Sequence, residues 1–199
     1  MRKNRLRPLV LLMLLPCAQV FATEPLQTST KRLDVRAPAQ IIRDEDGVSH
    51  IFASTERDLL FLQGYAQARD RLFQMDTLRR QADGSLAELL GASVLPSDIQ
   101  LRTIGIRRAA EATLPALSAE TRAGFKAYAA GVNAYTASHP LPPEYQRLEI
   151  TRFRPWTEAD SVSVLKLITF QLSFELSELQ ATVALRSYQA AGAQRGFDG

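Results

Sequence analysis

The sequence predicts a mostly α-helical chain carrying one small β hairpin, and three observations lead there. Apolar residues recur at helical spacing over long stretches, as in Phe61, Tyr65, Ala68, Leu72 and Met75. Two such stretches open with the spacing of helix caps, Thr55 with Asp58 and Thr157 with Asp160, where a hydroxyl and a carboxylate satisfy free backbone N–H groups. One pair of strand-like segments, Ile41-Ile42-Arg43 and Val48 to Phe52, brackets the turn former Asp46-Gly47.

The first segment stands apart from the fold. Arg2, Lys3, Arg5 and Arg7 precede the apolar run Leu9 to Leu15, and Val20-Phe21-Ala22 supplies small residues before a cut. That is the pattern of a secretory signal peptide over residues 1–22, which predicts a periplasmic or secreted protein. The apolar run is well short of the roughly 20 residues that span a bilayer, so no stable membrane span is expected. Pro16 argues against a lipid-modified Cys17. Four of the 24 Lys+Arg lie in the signal, leaving 20 against 21 Asp+Glu, a net of −1. The basic pI of 9.2 is therefore no argument for nucleic acid. The single cysteine leaves with the signal, so neither a disulfide nor a Cys-rich zinc site is expected. About 175 residues remain, enough for one core.

Residues 23–38 are polar and aperiodic and read as an extended leader; 39–199 form the folded segment. Ala39 to Ala53 is the hairpin. The helix from Thr55 ends at Asp83-Gly84, and Arg57, Arg71 and Arg79 on its other side are expected in solvent. Gly84 to Pro96 is loop or short helix, and Leu101 to Leu114 a second helix. A third starts at Ser118 and ends at Ser138-His139-Pro140, before the connector Leu141-Pro142-Pro143. Leu148 to Phe153 is a candidate strand. Past Pro155-Trp156-Thr157 a last helix bears Val162, Leu165, Ile168 and Leu172 and continues, with a break, to Ala191. There is no internal repeat.

These residues outline no complete active site. A G-x-S-x-G elbow, an H-E-x-x-H pair and a Walker loop are all missing from the sequence. Glu175 and Glu178, three apart on a helix, suit either a solvated face or a hard cation. Arg69-Asp70-Arg71 reads as a structural ion network, His50 as a hydrogen-bonding residue and His139 as a helix-end residue. Phe170 and Phe174 fit core packing as well as a pocket wall.

Six segments in order resemble the penicillin amidase family. They are Ile42-Arg43-Asp44 with Gly47-Val48-Ser49-His50-Ile51; Gly64-Tyr65-Ala66-Gln67-Ala68-Arg69-Asp70-Arg71-Leu72-Phe73-Gln74-Met75; Gly84 to Gly91; Arg102-Thr103-Ile104-Gly105; Ala127 to Ala134; and Pro155-Trp156-Thr157 with its helix. The resemblance implies an N-terminal nucleophile hydrolase, whose complete fold is an α+β four-layer αββα arrangement. It implies an exported precursor that cuts itself into α and β subunits, with this chain as the α part. The β subunit's N-terminal serine would attack a linear amide, its own α-amine acting as base, so no catalytic residue is expected in this chain. The resemblance places Ile168, Gln171 and Leu172 at acyl-pocket positions and Glu178 at a calcium ligand, the other ligands coming from the β subunit.

Three departures stand out. Ser49 replaces a proline common in the family, Gln171 a basic residue of the penicillin G-cleaving members, and Leu172 their aromatic ring. The more aliphatic surround favours an aliphatic acyl group, so acyl-homoserine-lactone or lipopeptide amides are expected substrates alongside penicillins. The competing readings are an inactive truncated remnant and a stand-alone periplasmic helical binding module.

Overall fold

Residues 26–28, 33–173 and 176–195 are described by a computed structural model, the side chains of 26–28, 174–179 and 193–195 excepted. The signal segment, Cys17, Phe174 and Glu175 lie outside the described residues. The side chain of Glu178 does too.

The described residues open on a three-stranded antiparallel sheet, β1 (Leu26–Thr28), β2 (Ala39–Arg43) and β3 (Ser49–Ala53), in that order. The hairpin of β2 and β3 is the expected one, with Ile41 opposite Ile51. The Asp44 carboxylate fixes its turn by accepting from the Val48 N–H at 2.8 Å. The leader is more tied down than its composition predicts. Its β1 pairs with β2, and the N–H groups of Arg36 and Ala37 reach the buried Asp58 carboxylate at 3.0–3.1 Å. That diverts Asp58 from its expected capping duty. Thr55 does accept from the Asp58 N–H at 3.1 Å, but no reciprocal bond from Asp58 to the Thr55 backbone forms.

Helix α1 (Glu56–Asp83) ends at Gly84, whose φ of 63° is the left-handed conformation of a helix stop. It kinks at Arg71 (φ −143°, ψ 26°). Phe61, Tyr65, Ala68, Leu72 and Met75 are buried as expected, packing on Ile41 at one end and on Val132, Tyr145 and Trp156 at the other. Arg79 overturns its expectation, being 0% exposed. It continues the helical spacing of Leu72 and Met75 and so falls on the inward stripe.

The segment after Gly84 forms a short helix α2 (Ala87–Leu90), a 3₁₀ turn at Ala92–Val94, and the helices α3 (Leu95–Ile104) and α4 (Ile106–Thr113). The single helix expected over Leu101 to Leu114 is thus two, broken where Gly105 takes φ 85°. Helix α5 (Ala119–Ser138), capped by Ser118, crosses α1 with glycine at the contact on both sides. A Cβ on Gly64 would overlap the Tyr128 carbonyl oxygen, and one on Gly131 that of Phe61. The two backbones touch directly.

Leu148 to Phe153 is not the expected strand. A five-residue helix α6 (Pro143–Arg147) precedes it, Glu149 takes φ 58°, and Ile150 and Phe153 turn onto the core beside Tyr145 and Trp156. No sheet edge is offered there to pair with. Helix α7 (Glu158–Leu172) starts at a complete capping box between Thr157 and Asp160. Helix α8 (Leu176–Arg195) follows, most of its described side chains exposed. The result is mostly helix with a small sheet, as the sequence predicts. No described helix is long and apolar enough to cross a membrane.

Candidate functional site

Two features meet on α7, one on each face. Its inner face carries Asp160 into a buried charge cluster. Arg79 donates to Asp76 at 2.6 Å and stands 3.6 Å from Asp160, with all three side chains fully buried. The guanidinium lies 4.3 Å from the Phe153 ring centroid and 5.2 Å from that of Trp156. Tyr145 donates its hydroxyl to Asp76 at 3.0 Å, while Arg107 and Arg154 reach Asp160 at 2.8 and 3.1 Å and also hold Asp83. The cluster ties α1, α4, α6 and α7 together. Its centre, Arg79 with Asp76 and Asp160, is fully buried, and the cluster fixes α7 in place.

Burial opposes ionisation of Asp160, but Arg154, the Thr157 N–H, Arg107 and Arg79 together hold its pKa below the ordinary carboxylate value. At Asp83 burial prevails over Arg107 and Arg154, and its pKa is raised. The two carboxylates therefore give acid responses of opposite sign. Asp160 contributes stability above an unfolded pKa of 3.8, lost as pH falls through its lower folded value. Asp83 contributes below 3.8, and that contribution is lost as pH rises through its raised folded value. Relative to the parent protein, Asp160→Asn should flatten the loss of stability between neutral pH and about pH 3, and Asp83→Asn should steepen it. Urea unfolding across that range checks this, and equal slopes in the two variants would contradict it.

The outer face of α7 is apolar and open. Leu165, Ile168 and Leu172 lie at i, i+3 and i+7, on one side of the helix, and are 57%, 40% and 77% exposed. On the other side Leu167 is fully buried against Ala82, Leu101 and Ile106, with Phe170 packed beside it. Of the three acyl-pocket positions expected from sequence, Ile168 lines a groove of about 670 Å³ between α1, α5 and α7, together with Leu165, Val164 and Tyr128. Gln171 and Leu172 stand exposed at the helix end, outside that groove. The groove itself was not legible in the sequence, because it depends on how three helices cross.

Other candidates resolve into structure. His50 pairs with Asp44 at 2.8 Å on the hairpin. Arg69 donates to Asp70 at 3.2 Å and to Ser49 at 3.0 Å, and Asp70 also holds Arg43, so Arg69 and Asp70 pin the sheet to α1, while Arg71 of the expected trio is exposed at the kink. Ser138 and His139 approach to 3.0 Å, which superficially resembles a nucleophile and its base. The Ser138 hydroxyl donates instead to the Ala134 carbonyl at 2.7 Å, and the same Nδ1 faces the Tyr135 carbonyl at 3.2 Å, so both side chains close the helix end. His139 caps α5 and stacks on Tyr135, as its helix-end position predicts. Among the described residues no three His, Cys, Asp or Glu side chains gather into a metal-binding group.

The sequence matches the family described as penicillin amidase over residues 38–197, and the chain belongs to that family. It is 38% identical to a penicillin acylase 2 proenzyme of Pseudomonas sp. (strain SE83), over 86% of this chain and 22% of that protein. It is 35% identical to an acyl-homoserine lactone acylase of Pseudomonas aeruginosa, over 81% of this chain and 18% of that protein. Among solved structures it is similar to a thermostable penicillin G acylase from Alcaligenes faecalis, with a TM-score of 0.64 and 32% identity over 80% of this chain and 85% of that one. The chain spans about a fifth of the length of the curated relatives it matches.

Proposed function

We propose that this chain is the acyl-binding α-subunit portion of an exported acylase that hydrolyses linear N-acyl amides. The observation that carries the reading is the uncovered stripe Leu165, Ile168 and Leu172 on a helix held rigidly by the buried cluster behind it. An apolar face on so fixed a helix suits a surface completed by another part of the enzyme. The β portion supplies the serine. Its hydroxyl oxygen bonds to the amide carbonyl carbon while the serine's α-amine takes the hydroxyl proton and passes it to the departing amine. Water then cleaves the acyl ester. Within this scheme Ile168, Gln171 and Leu172 shape the acyl site, and their aliphatic and neutral character favours alkanoyl over arylacetyl groups.

In the enzyme made from the complete reading frame, Leu172→Phe should shift the kcat/KM ratio of phenylacetyl to alkanoyl amides by about tenfold toward phenylacetyl. An unchanged ratio would remove Leu172 from the acyl site. Calcium belongs to the same proposal, with Glu178 as one oxygen ligand and the remainder from the β portion. Glu178→Gln should lower the calcium content of the purified enzyme by metal analysis, together with the yield of processed chains. Unaltered calcium content would overturn that assignment.

A further inference from the structure

Residues 33–37 carry neither helix nor strand, yet polar and apolar contacts both hold them to the start of α1. The Arg36 N–H donates to both oxygens of the Asp58 carboxylate, at 3.1 and 3.0 Å, and the Ala37 N–H donates to one of them at 3.0 Å. Arg57 donates to the Asp34 carbonyl and, at 2.5 Å, to the Asp34 carboxylate, and it pairs with Asp58 at 2.8 Å. Every residue except proline offers a backbone N–H, so a carboxylate facing two in succession fixes the path of a chain. Arg57 adds a preference for an acidic side chain at position 34.

Two features tie Asp58 to the segment ahead of α1. It occupies the capping-box position but makes no bond back to the Thr55 N–H. Its side chain is also fully buried, which an ion tolerates only where opposite charge and hydrogen bonds offset the lost water. Arg36, Ala37 and Arg57 supply that offset.

The apolar side of the segment reaches further. Leu33 and Val35 pack on the cluster of Phe61, Leu62 and Tyr65, which α5 meets through Ala130 and Ala134. Phe61 is also the residue whose carbonyl lies against Gly131. Residues 33–37 thus close one end of the α1–α5 crossing. They lie ahead of residue 38, where the family match begins, and that match assigns them no part.

We propose that residues 33–37 are a strap seated in a docking site made by Asp58 and Arg57, and that its seating closes the α1–α5 layer before the chain is cut in two. The link to cutting rests on the acylase reading above.

The test uses protein from the complete reading frame in four forms: the parent, Asp58→Asn, residues 33–37 replaced by a Gly-Ser segment of equal length, and both changes together. Hydrogen exchange should find the Arg36 and Ala37 amides protected in the parent, and Asp58→Asn should speed their exchange by about tenfold or more. Each single change should lower the melting temperature and the fraction of chains cut. The combined protein should fall no further than the one with the replaced strap. Unchanged exchange in Asp58→Asn, or losses that add, would overturn the strap, because Asp58 would then act within α1. If Asp58→Asn does not fold, Asp34→Asn, at a side chain 80% exposed, should speed the same two amides by about twofold to threefold, and no change there contradicts the proposal equally. A cut fraction untouched by an opened strap would sink the link to cutting. If the parent itself stays uncut, the acylase reading falls, and exchange and melting alone decide the strap.

Discussion

Replacing Asp160 with alanine is expected to cost about 3–5 kcal/mol of folding stability, because it leaves Arg79 buried with half of its compensation gone. Arg79 has no exposed surface, its partners are Asp76 and Asp160, and its Nη2 already lacks a hydrogen-bond partner. Asp160 also closes the capping box with Thr157 and receives Arg107 and Arg154. One carboxylate thus starts α7, neutralises the buried cation and joins α4 to the cluster. Arg107→Met should cost much less, since that side chain is only partly buried and Arg154 still reaches Asp160. Urea denaturation of both variants measures the contrast. Similar small losses in the two would mean that the cluster does not anchor α7.

A second large effect is expected at the crossing of α1 and α5, where Gly131→Ala should cost about 3 kcal/mol or more. The added Cβ would overlap the Phe61 carbonyl oxygen and come within 2.9 Å of the Tyr65 nitrogen. Backbone atoms of a helix cannot swing aside as a side-chain tip can, so the helices must separate. Phe61 and Tyr65 pack against the sheet, so the separation also loosens Ile41. By comparison Gly124 would meet only the tip of Leu60, and Gly124→Ala should be mild. Thermal melting of the two variants tests the difference; equal shifts would contradict close backbone contact as its cause.

Much of this architecture was legible in the sequence because local physics and packing agree there. The caps at Thr55 and Thr157 mark two helix starts, and the inward stripe from Phe61 to Met75 marks the side that α1 buries. Arg79 is instructive because spacing and charge conflict. Its position continues the buried stripe, while its charge suggests solvent, and spacing wins since Asp76 and Asp160 are there to receive it. That partner comes from α7, 81 positions away, which no local pattern reveals. Leu148 to Phe153 failed in the opposite way, its strand-like composition reflecting residues that turn onto the core. The acyl positions were read only through family resemblance. Composition alone gives α7 an apolar side but not which side stays open, because that depends on Leu167 and Asp160 facing Ala82 and Arg79.

The central claim is that α7 presents its open face to a second part of the same enzyme, which carries the nucleophile. Intact-mass and N-terminal analysis of the protein purified from the complete reading frame tests it most directly. The account predicts two co-purifying chains, one containing residues 39–195 and the other beginning with serine, and amide hydrolysis lost on changing that serine to alanine. A single uncut chain, or two chains whose activity survives the change, would contradict it.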